Sequence, residues 1–223
     1  MKKKIGIVFD LDGTLLDTLA DLHENVNYAL SKFNYPLRTR EEVRNFVGNG
    51  IEKLMRRALP NGVTEEEFLE AFRLFQKQYS ENLNKHTKPY PGIIDLLENL
   101  KKRGVLFGVV SNKFQLGVGK LVEEYFPGLI SVAIGSREGL KNKPAPDAVN
   151  LALEELGLKK EEDLLFYVGD SDVDIETARA AKLPVISVAW GFKTKAFLEN
   201  LKPDYLVDSP EEILAIIEAE ERK

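Results

Sequence analysis

At 223 residues with 43% hydrophobic content, the chain is long enough to bury one ordinary core, with or without a smaller insertion. Charged residues make up 30% and the formal net charge is −5, which gives no reason to expect nucleic acid or an anionic membrane surface as partner and leaves a small molecule as the expected one. There are no cysteines, so disulfides, thiolate nucleophiles and cysteine-held metals are excluded, and a metal would need oxygen ligands or one of the two histidines.

In chain order, Ile5 to Phe9 reads as a short buried strand that ends abruptly in Asp10-Leu-Asp-Gly-Thr14. That apolar run is too short for a signal segment, and no stretch approaches the ~20 apolar residues of a membrane span; a cytoplasmic protein, monomeric or homodimeric, is expected. Residues 17–86 then read as helical. Leu19, Leu22, Val26, Ala29, Leu30 and Phe33 recur at helical spacing, as do Ile51, Leu54, Met55, Ala58 and Leu59. Thr64 to Glu67 has the form of a capping box opening a third helix, with Phe68, Ala71, Phe72, Phe75 and Tyr79 on one side. The chain returns through His86-Thr-Lys-Pro-Tyr-Pro-Gly92.

From residue 92 onward helices and short β-branched strands alternate. A helix carrying Ile93, Leu96, Leu97 and Leu100 stops at Gly104, and a strand over Val105 to Val110 follows. Further strands are expected at Ile130 to Ile134, Leu164 to Val168, Val185 to Val188 and Tyr205 to Val207, with helices near 114–125, 146–157, 172–182 and 210–220. This rhythm predicts an α/β fold: a doubly wound parallel sheet core from residues 1–16 and 87–223, with an inserted α-helical cap over 17–86.

In such a sheet, ligands bind outside the C-terminal ends of the strands, so strand-end residues are the informative ones. They are Asp10-Leu-Asp12, Ser111-Asn-Lys113 and Gly169-Asp-Ser-Asp-Val-Asp174, with Lys143 on the loop Lys141 to Asp147. Where a strand ends and the chain turns, Asp10 and Asp12 can address one pocket. With Asp170 they form an all-oxygen acidic cluster suited to a hard cation such as Mg²⁺, the usual companion of phosphate. Lys143 would offset the repulsion between a carboxylate nucleophile and a phosphoryl group. Ser111 and Asn112 supply hydroxyl and amide donors, and Gly13 allows close backbone approach.

The ordered set Asp10-x-Asp12-Gly-Thr, Ser111-Asn, Lys143-Pro and Gly169-Asp-x-x-x-Asp174 closely resembles the haloacid dehalogenase (HAD) superfamily of aspartyl-phosphate phosphatases. The insertion after the first motif resembles the helical cap of one HAD subgroup. Phe46-Val-Gly-Asn-Gly50, Pro89-Tyr-Pro-Gly92 and Lys143-Pro-Ala-Pro-Asp147 look most like phosphoglycolate phosphatases. The resemblance implies that Asp10 is the nucleophile and that Asp12 serves as acid, then base. It implies that Asp10, the Asp12 main-chain carbonyl and Asp170 hold Mg²⁺, with Asp174 in its outer shell and Lys143 orienting Asp10. The expected activity is hydrolysis of a small phosphorylated metabolite, 2-phosphoglycolate first. A sugar phosphatase, a pyrophosphatase or a phosphosugar mutase would use the same core, and a non-catalytic phosphometabolite-binding module is the alternative outside enzymes.

Each motif also has a plainer reading. Asp-Gly is common turn chemistry, Ser111-Asn112 could cap a helix, and Asp172 could do the same. Gly117-Val-Gly-Lys120 lacks the spacing of a P-loop, and His23 and His86 are too far apart in sequence to suggest a joint site. Gly48-Asn49-Gly50, before a helix start, leaves backbone N–H groups open to a substrate carboxylate if the cap closes; a plain turn is the competing reading.

Overall fold

The computed structural model describes residues 3–82 and 84–222. β1 (Ile5–Phe9) and the two-residue β2 (Leu16–Asp17) lead into four helices, α1 (Leu19–Lys32), α2 (Arg40–Phe46), α3 (Ile51–Ala58) and α4 (Glu65–Glu81). β3 (Lys88–Pro89) brings the chain back to α5 (Ile93–Lys102), β4 (Leu106–Phe114), α6 (Gln115–Tyr125) and β5 (Val132–Ser136). Then come α7 (Asp147–Glu155), β6 (Leu164–Gly169), α8 (Asp172–Ala181), β7 (Val185–Val188), α9 (Lys195–Asn200), β8 (Tyr205–Val207) and α10 (Pro210–Glu221).

Six parallel strands form one sheet in the order β5-β4-β1-β6-β7-β8. The chain builds outward from β1 to β4 and β5 on one side, then to β6, β7 and β8 on the other, so the strand order reverses beside β1. That reversal opens a crevice at the C-terminal end of β1, where Asp10 stands. β1 is apolar throughout because both faces are covered. Ile7 and Phe9 belong to one buried cluster, and Val8, pointing the other way, packs in a second with Val149, Ala152 and Ile175 from α7 and α8.

Between β1 and β3, α1 packs against α4 and α2. The apolar positions read from periodicity are buried there: Leu22, Val26, Ala29 and Leu30 on α1, and Phe68, Ala71, Phe75 and Tyr79 on α4. The Thr64 capping box forms, with its hydroxyl accepting from the Glu67 N–H and the Glu67 carboxylate accepting from the Thr64 N–H. Thr39 and Glu42 make a second box at α2. The two crossings between sheet and helices pair antiparallel as β2 and β3, Leu16 with Pro89 and Asp17 with Lys88, where the sequence reading divides core from cap. Buried Asp21 of α1 fastens the return crossing, accepting from the N–H groups of His86 and Thr87 and from the Thr87 hydroxyl.

Three features depart from the sequence expectation. β4 continues past Val110 to Phe114 because its pairing with β5 breaks after Val110 and resumes at Phe114 with Ser136. β5 accordingly lies two residues later than expected. The short elements α2, α9, β2 and β3 are absent from the sequence reading, since six or seven residues hold too few turns for a periodic signal and two residues hold none. No described helix is long and apolar enough to cross a membrane.

Candidate active site

The turn after β1 is wound around one carbonyl. Leu11 O accepts from the N–H groups of Thr14, Leu15 and Leu16, while Asp10 N–H still donates to Val168 O at 2.8 Å and extends the sheet ladder. Gly13 completes the turn with φ +94°, and a Cβ there would sit 2.5 Å from an Asp170 carboxylate oxygen. Only glycine meets both the conformation and the close approach. The turn thus brings Asp10 to the head of β6, where Asp170 accepts from the Thr14 hydroxyl at 3.3 Å and from the Phe192 N–H at 2.6 Å.

Lys143 is the cation of this cluster. Its Nζ donates to Asp10 Oδ1 at 2.6 Å, Asp174 Oδ1 at 2.8 Å and the Tyr167 hydroxyl at 3.1 Å, with all four residues buried. Asn112 braces the lysine's main chain from both sides, accepting from Lys143 N–H and donating to Lys143 O. The Asn112 amide also donates to Gly48 O at 3.4 Å, so both its donors are engaged within the protein. Asp174 is held as firmly: its second oxygen accepts from Ser171 N–H and hydroxyl, the capping box of α8, with Ser171 and not Asp172 at the cap. Ser111 caps no helix either, since α6 begins after Phe114. Its hydroxyl accepts from Lys113 N–H at 3.1 Å and lies 3.5 Å from Asp12 Oδ2.

Asp12 forms a separate pair. Lys113 Nζ donates to Asp12 Oδ1 at 2.9 Å and is hydrogen-bonded to the hydroxyl of Tyr79, which reaches in from α4. Burial works against the Lys113 ammonium, but Asp12 and Tyr79 outweigh it and hold its pKa above the ordinary lysine value. Burial pushes the Asp10 carboxyl up to about 7, with Lys143 opposing and Asp174 adding to the rise. Burial and the neighbouring charges of Asp174 and Asp10 likewise push Asp170 well above the usual carboxylate range. Lys143, despite its burial, is driven well above its usual value by Asp10 and Asp174.

Burial is the largest cause of the raised carboxyl values, and an excess of negative charge adds to it. Asp12 and Lys113 balance each other, but Asp10, Asp170 and Asp174, when all three are ionised, face the single charge of Lys143, so three minus one leaves two. One oxygen from each of the three acids lies within 4.8 Å of the others. A buried, all-oxygen site with two uncompensated negative charges fits a hard divalent cation such as Mg²⁺. Asp10 and Asp170 fit as direct ligands, while the four donors on Asp174 suit it to an outer position.

The helical insertion closes the crevice. Asp10, Asp12, Ser111, Asn112, Lys143 and Asp170 line one cavity together with Gly48, Gly50, Val47, Ile51, Leu54 and Tyr79 from the insertion. Gly13, Asn49 and Asp174 stand outside its lining. Gly48 and Gly50 have φ of +130° and +87°, and the Asn49 side chain accepts from Arg57 at 2.7 Å instead of facing the cavity. Arg44 of α2 ties the insertion to the core, donating to Phe192 O at 2.6 Å and Gly191 O at 2.8 Å, next to the Phe192 N–H that holds Asp170.

Sequence reasoning gave no role to Lys113, Tyr79, Arg44 or Phe192. Lys113 carried a usable signal, a third consecutive polar residue after an apolar strand run, but the break in β4 that turns it toward the site leaves no sequence mark. Tyr79 reads as one more aromatic of an apolar face, and Arg44 lies on α2, a helix absent from the sequence reading.

The model of the haloacid dehalogenase-like hydrolases matches residues 7–188. Phosphoglycolate phosphatase 1 of Pseudomonas aeruginosa is 33% identical over 214 residues, covering 93% of this chain and 78% of its own. The phosphoglycolate phosphatase of Aliivibrio fischeri is 32% identical over 218 residues, with 95% of each chain covered. Among solved structures, a predicted phosphoglycolate phosphatase from Haemophilus somnus superposes with a TM-score of 0.88 at 32% identity, over 97% of this chain and 99% of its own. The match reaches five of the six strands of the sheet, β1, β4, β5, β6 and β7, and all four motifs from Asp10 to Asp174, and by it this chain belongs to the haloacid dehalogenase-like hydrolases.

Proposed function

We propose that the protein is a Mg²⁺-dependent phosphatase of small phosphomonoesters, with 2-phosphoglycolate as first substrate, working through a phosphorylated Asp10. The observation that carries this reading is the buried cluster itself: Asp10, held by Lys143, beside Asp170 in a site two positive charges short. The relatives named for phosphoglycolate support the choice of substrate.

Mg²⁺ would be held by Asp10, the Asp12 main-chain carbonyl and Asp170, with Asp174 outside. When bound, it would neutralise charge where two anions must meet. Lys143 orients the Asp10 carboxylate, which attacks phosphorus as the ester P–O bond breaks. Asp12, which must take up a proton before the step, gives it to the leaving alkoxide, so an alcohol departs and an acyl phosphate remains on Asp10. Asp12, now a carboxylate, takes a proton from the water that attacks phosphorus, which releases phosphate and restores both acids. Ser111, which lines the cavity, would receive a phosphoryl oxygen, Gly13 contributes by letting the turn approach Asp170, and Asn112 contributes by bracing Lys143 and Gly48. The helical insertion acts as a cap that excludes bulk water, and the Gly48-Asn49-Gly50 turn, with the N-terminus of α3, is proposed to receive the substrate carboxylate.

The test is phosphate release from a panel of phosphomonoesters including 2-phosphoglycolate, with Mg²⁺ and with excess chelator. Release that is concentrated on 2-phosphoglycolate and abolished by chelator is expected. Chelator-insensitive release would remove the metal from the account, release confined to other esters would remove the substrate, and no release at all would remove the phosphatase.

A further inference from the structure

We propose that Lys113 is a positioning residue for Asp12 and that Tyr79 ties this positioning to the seating of the helical insertion. The inference rests on the proton-transfer role proposed for Asp12. A regular strand turns alternate side chains to opposite faces. The broken pairing of β4 between Val110 and Phe114 interrupts that alternation, and Ser111, Asn112 and Lys113 all reach the crevice.

Lys113 then meets Asp12 from two directions. Its Nζ holds Oδ1 at 2.9 Å, and its backbone N–H holds the Ser111 hydroxyl that lies 3.5 Å from Oδ2. The Lys113 side chain is only 2% exposed, an arrangement costly to build for an ordinary surface cation. Tyr79, bonded to the same ammonium, is itself wedged: its ring stacks on Phe75 of α4 and meets Phe114 of β4 edge-on, with centroids 5.3 and 6.3 Å away. A continuous path of contact therefore runs from α4 through Tyr79 and Lys113 to Asp12. If the insertion shifts, Tyr79 shifts with α4, and the group that orients Asp12 loses a partner.

Orientation matters most where a proton must move in the transition state. A poor leaving group such as an alkoxide needs the proton from Asp12, whereas a nitrophenolate departs without it. After donation, Asp12 carries a negative charge that faces the Lys113 ammonium. Lys113 acts through Asp12 and is given no contact with phosphorus.

The experiment compares the single-turnover rate and KM of leaving-group release, the step that precedes the water attack in which Asp12 serves either ester, for the wild-type protein, Lys113→Met, Lys113→Arg and Tyr79→Phe on the best alkyl phosphate of the panel and on p-nitrophenyl phosphate. Lys113→Met is expected to lower that rate on the alkyl ester by about a hundredfold, the scale of a misplaced general acid. On p-nitrophenyl phosphate the loss should be within severalfold, with KM on both esters nearly unchanged. Lys113→Arg should recover part of the alkyl-ester rate. Tyr79→Phe, which keeps the ring and its packing, should show the same selective loss at about tenfold, and it carries the test by itself if Lys113→Met fails to fold. Equal losses on the two esters, or losses confined to KM, would overturn the inference while leaving the phosphatase standing. A wild-type protein that hydrolyses neither ester would overturn the phosphatase reading, and this inference with it.

Discussion

The core side of the crevice and the helical side are built from different materials. On the core side the crevice is walled by charged side chains that hold one another: Lys143 on Asp10 and Asp174, Lys113 on Asp12, and Asn112 on the main chain of Lys143. From the insertion come the apolar Val47, Ile51 and Leu54, the glycines Gly48 and Gly50, and the single hydroxyl of Tyr79. Charged groups fixed by several bonds can be aimed to fractions of an ångström, and that suits bond making and proton transfer. An apolar wall with flexible-sequence turns sets shape and size. Under the proposed function, the chemistry would belong to the core and the choice of substrate to the insertion, a division under which one core can serve many esters.

That contrast breaks most visibly at Asp10. Asp10→Asn should lower turnover by on the order of 10⁴ or more, the scale of removing a nucleophile, on every ester in the panel. Circular dichroism should show an intact fold, because asparagine keeps the shape and relieves the excess charge. Lys143→Met comes next. It strips the one cation from three buried acids and should cost about 3–5 kcal/mol in denaturant unfolding without metal, besides its loss of activity. Added Mg²⁺ should return part of that stability, because the cation supplies charge to the same acids.

Changes on the helical side should act differently. Arg44→Ala removes two charge-assisted bonds to the carbonyls of Gly191 and Phe192 and should cost on the order of 3 kcal/mol in unfolding. Its KM for 2-phosphoglycolate should rise more than its kcat falls, since the insertion is loosened while Asp10 and Lys143 stay paired. A larger fall in kcat would mean that the latch reaches Asp170 through Phe192. Gly50→Ala is the mildest. With φ +87° and ψ 165°, position 50 lies in a region nearly reserved for glycine, and about 2 kcal/mol of strain is expected. Its selectivity between 2-phosphoglycolate and p-nitrophenyl phosphate should move toward the latter, and unchanged selectivity would remove the turn from substrate recognition.

The same division explains what the sequence made legible. The alternating core, the two apolar-to-acidic strand ends of β1 and β6 and the helical faces of α1, α3 and α4 follow from periodicity and from charges at places where a buried strand has no reason to carry them. The gathering of Asp10, Lys143 and Asp170 was readable because strand order puts the ends of β1 and β6 side by side. What escaped depends on local geometry without periodicity. The register break that turns Lys113 inward leaves no mark in composition. The second capping box, Thr39 to Glu42, carries the same signature as Thr64 to Glu67, but too few helical turns follow it for periodicity to mark α2 and so to place Arg44. Asn112 shows the same limit. Its type suits a phosphate donor, but its two amide hydrogens face Lys143 O and Gly48 O, and only coordinates could tell one engagement from the other.

Under the proposed function, of the two carboxylates at the end of β1, Asp10 attacks phosphorus and Asp12 moves protons. The stereochemical course at phosphorus tests this most directly, with a substrate made chiral there by sulfur and two oxygen isotopes, hydrolysed in water of the third isotope with Mg²⁺ present. Attack by Asp10 followed by attack by water inverts the centre twice, so the released thiophosphate should show net retention. Net inversion would mean that water attacks the ester in one step, and Asp10 would then have no place as the nucleophile.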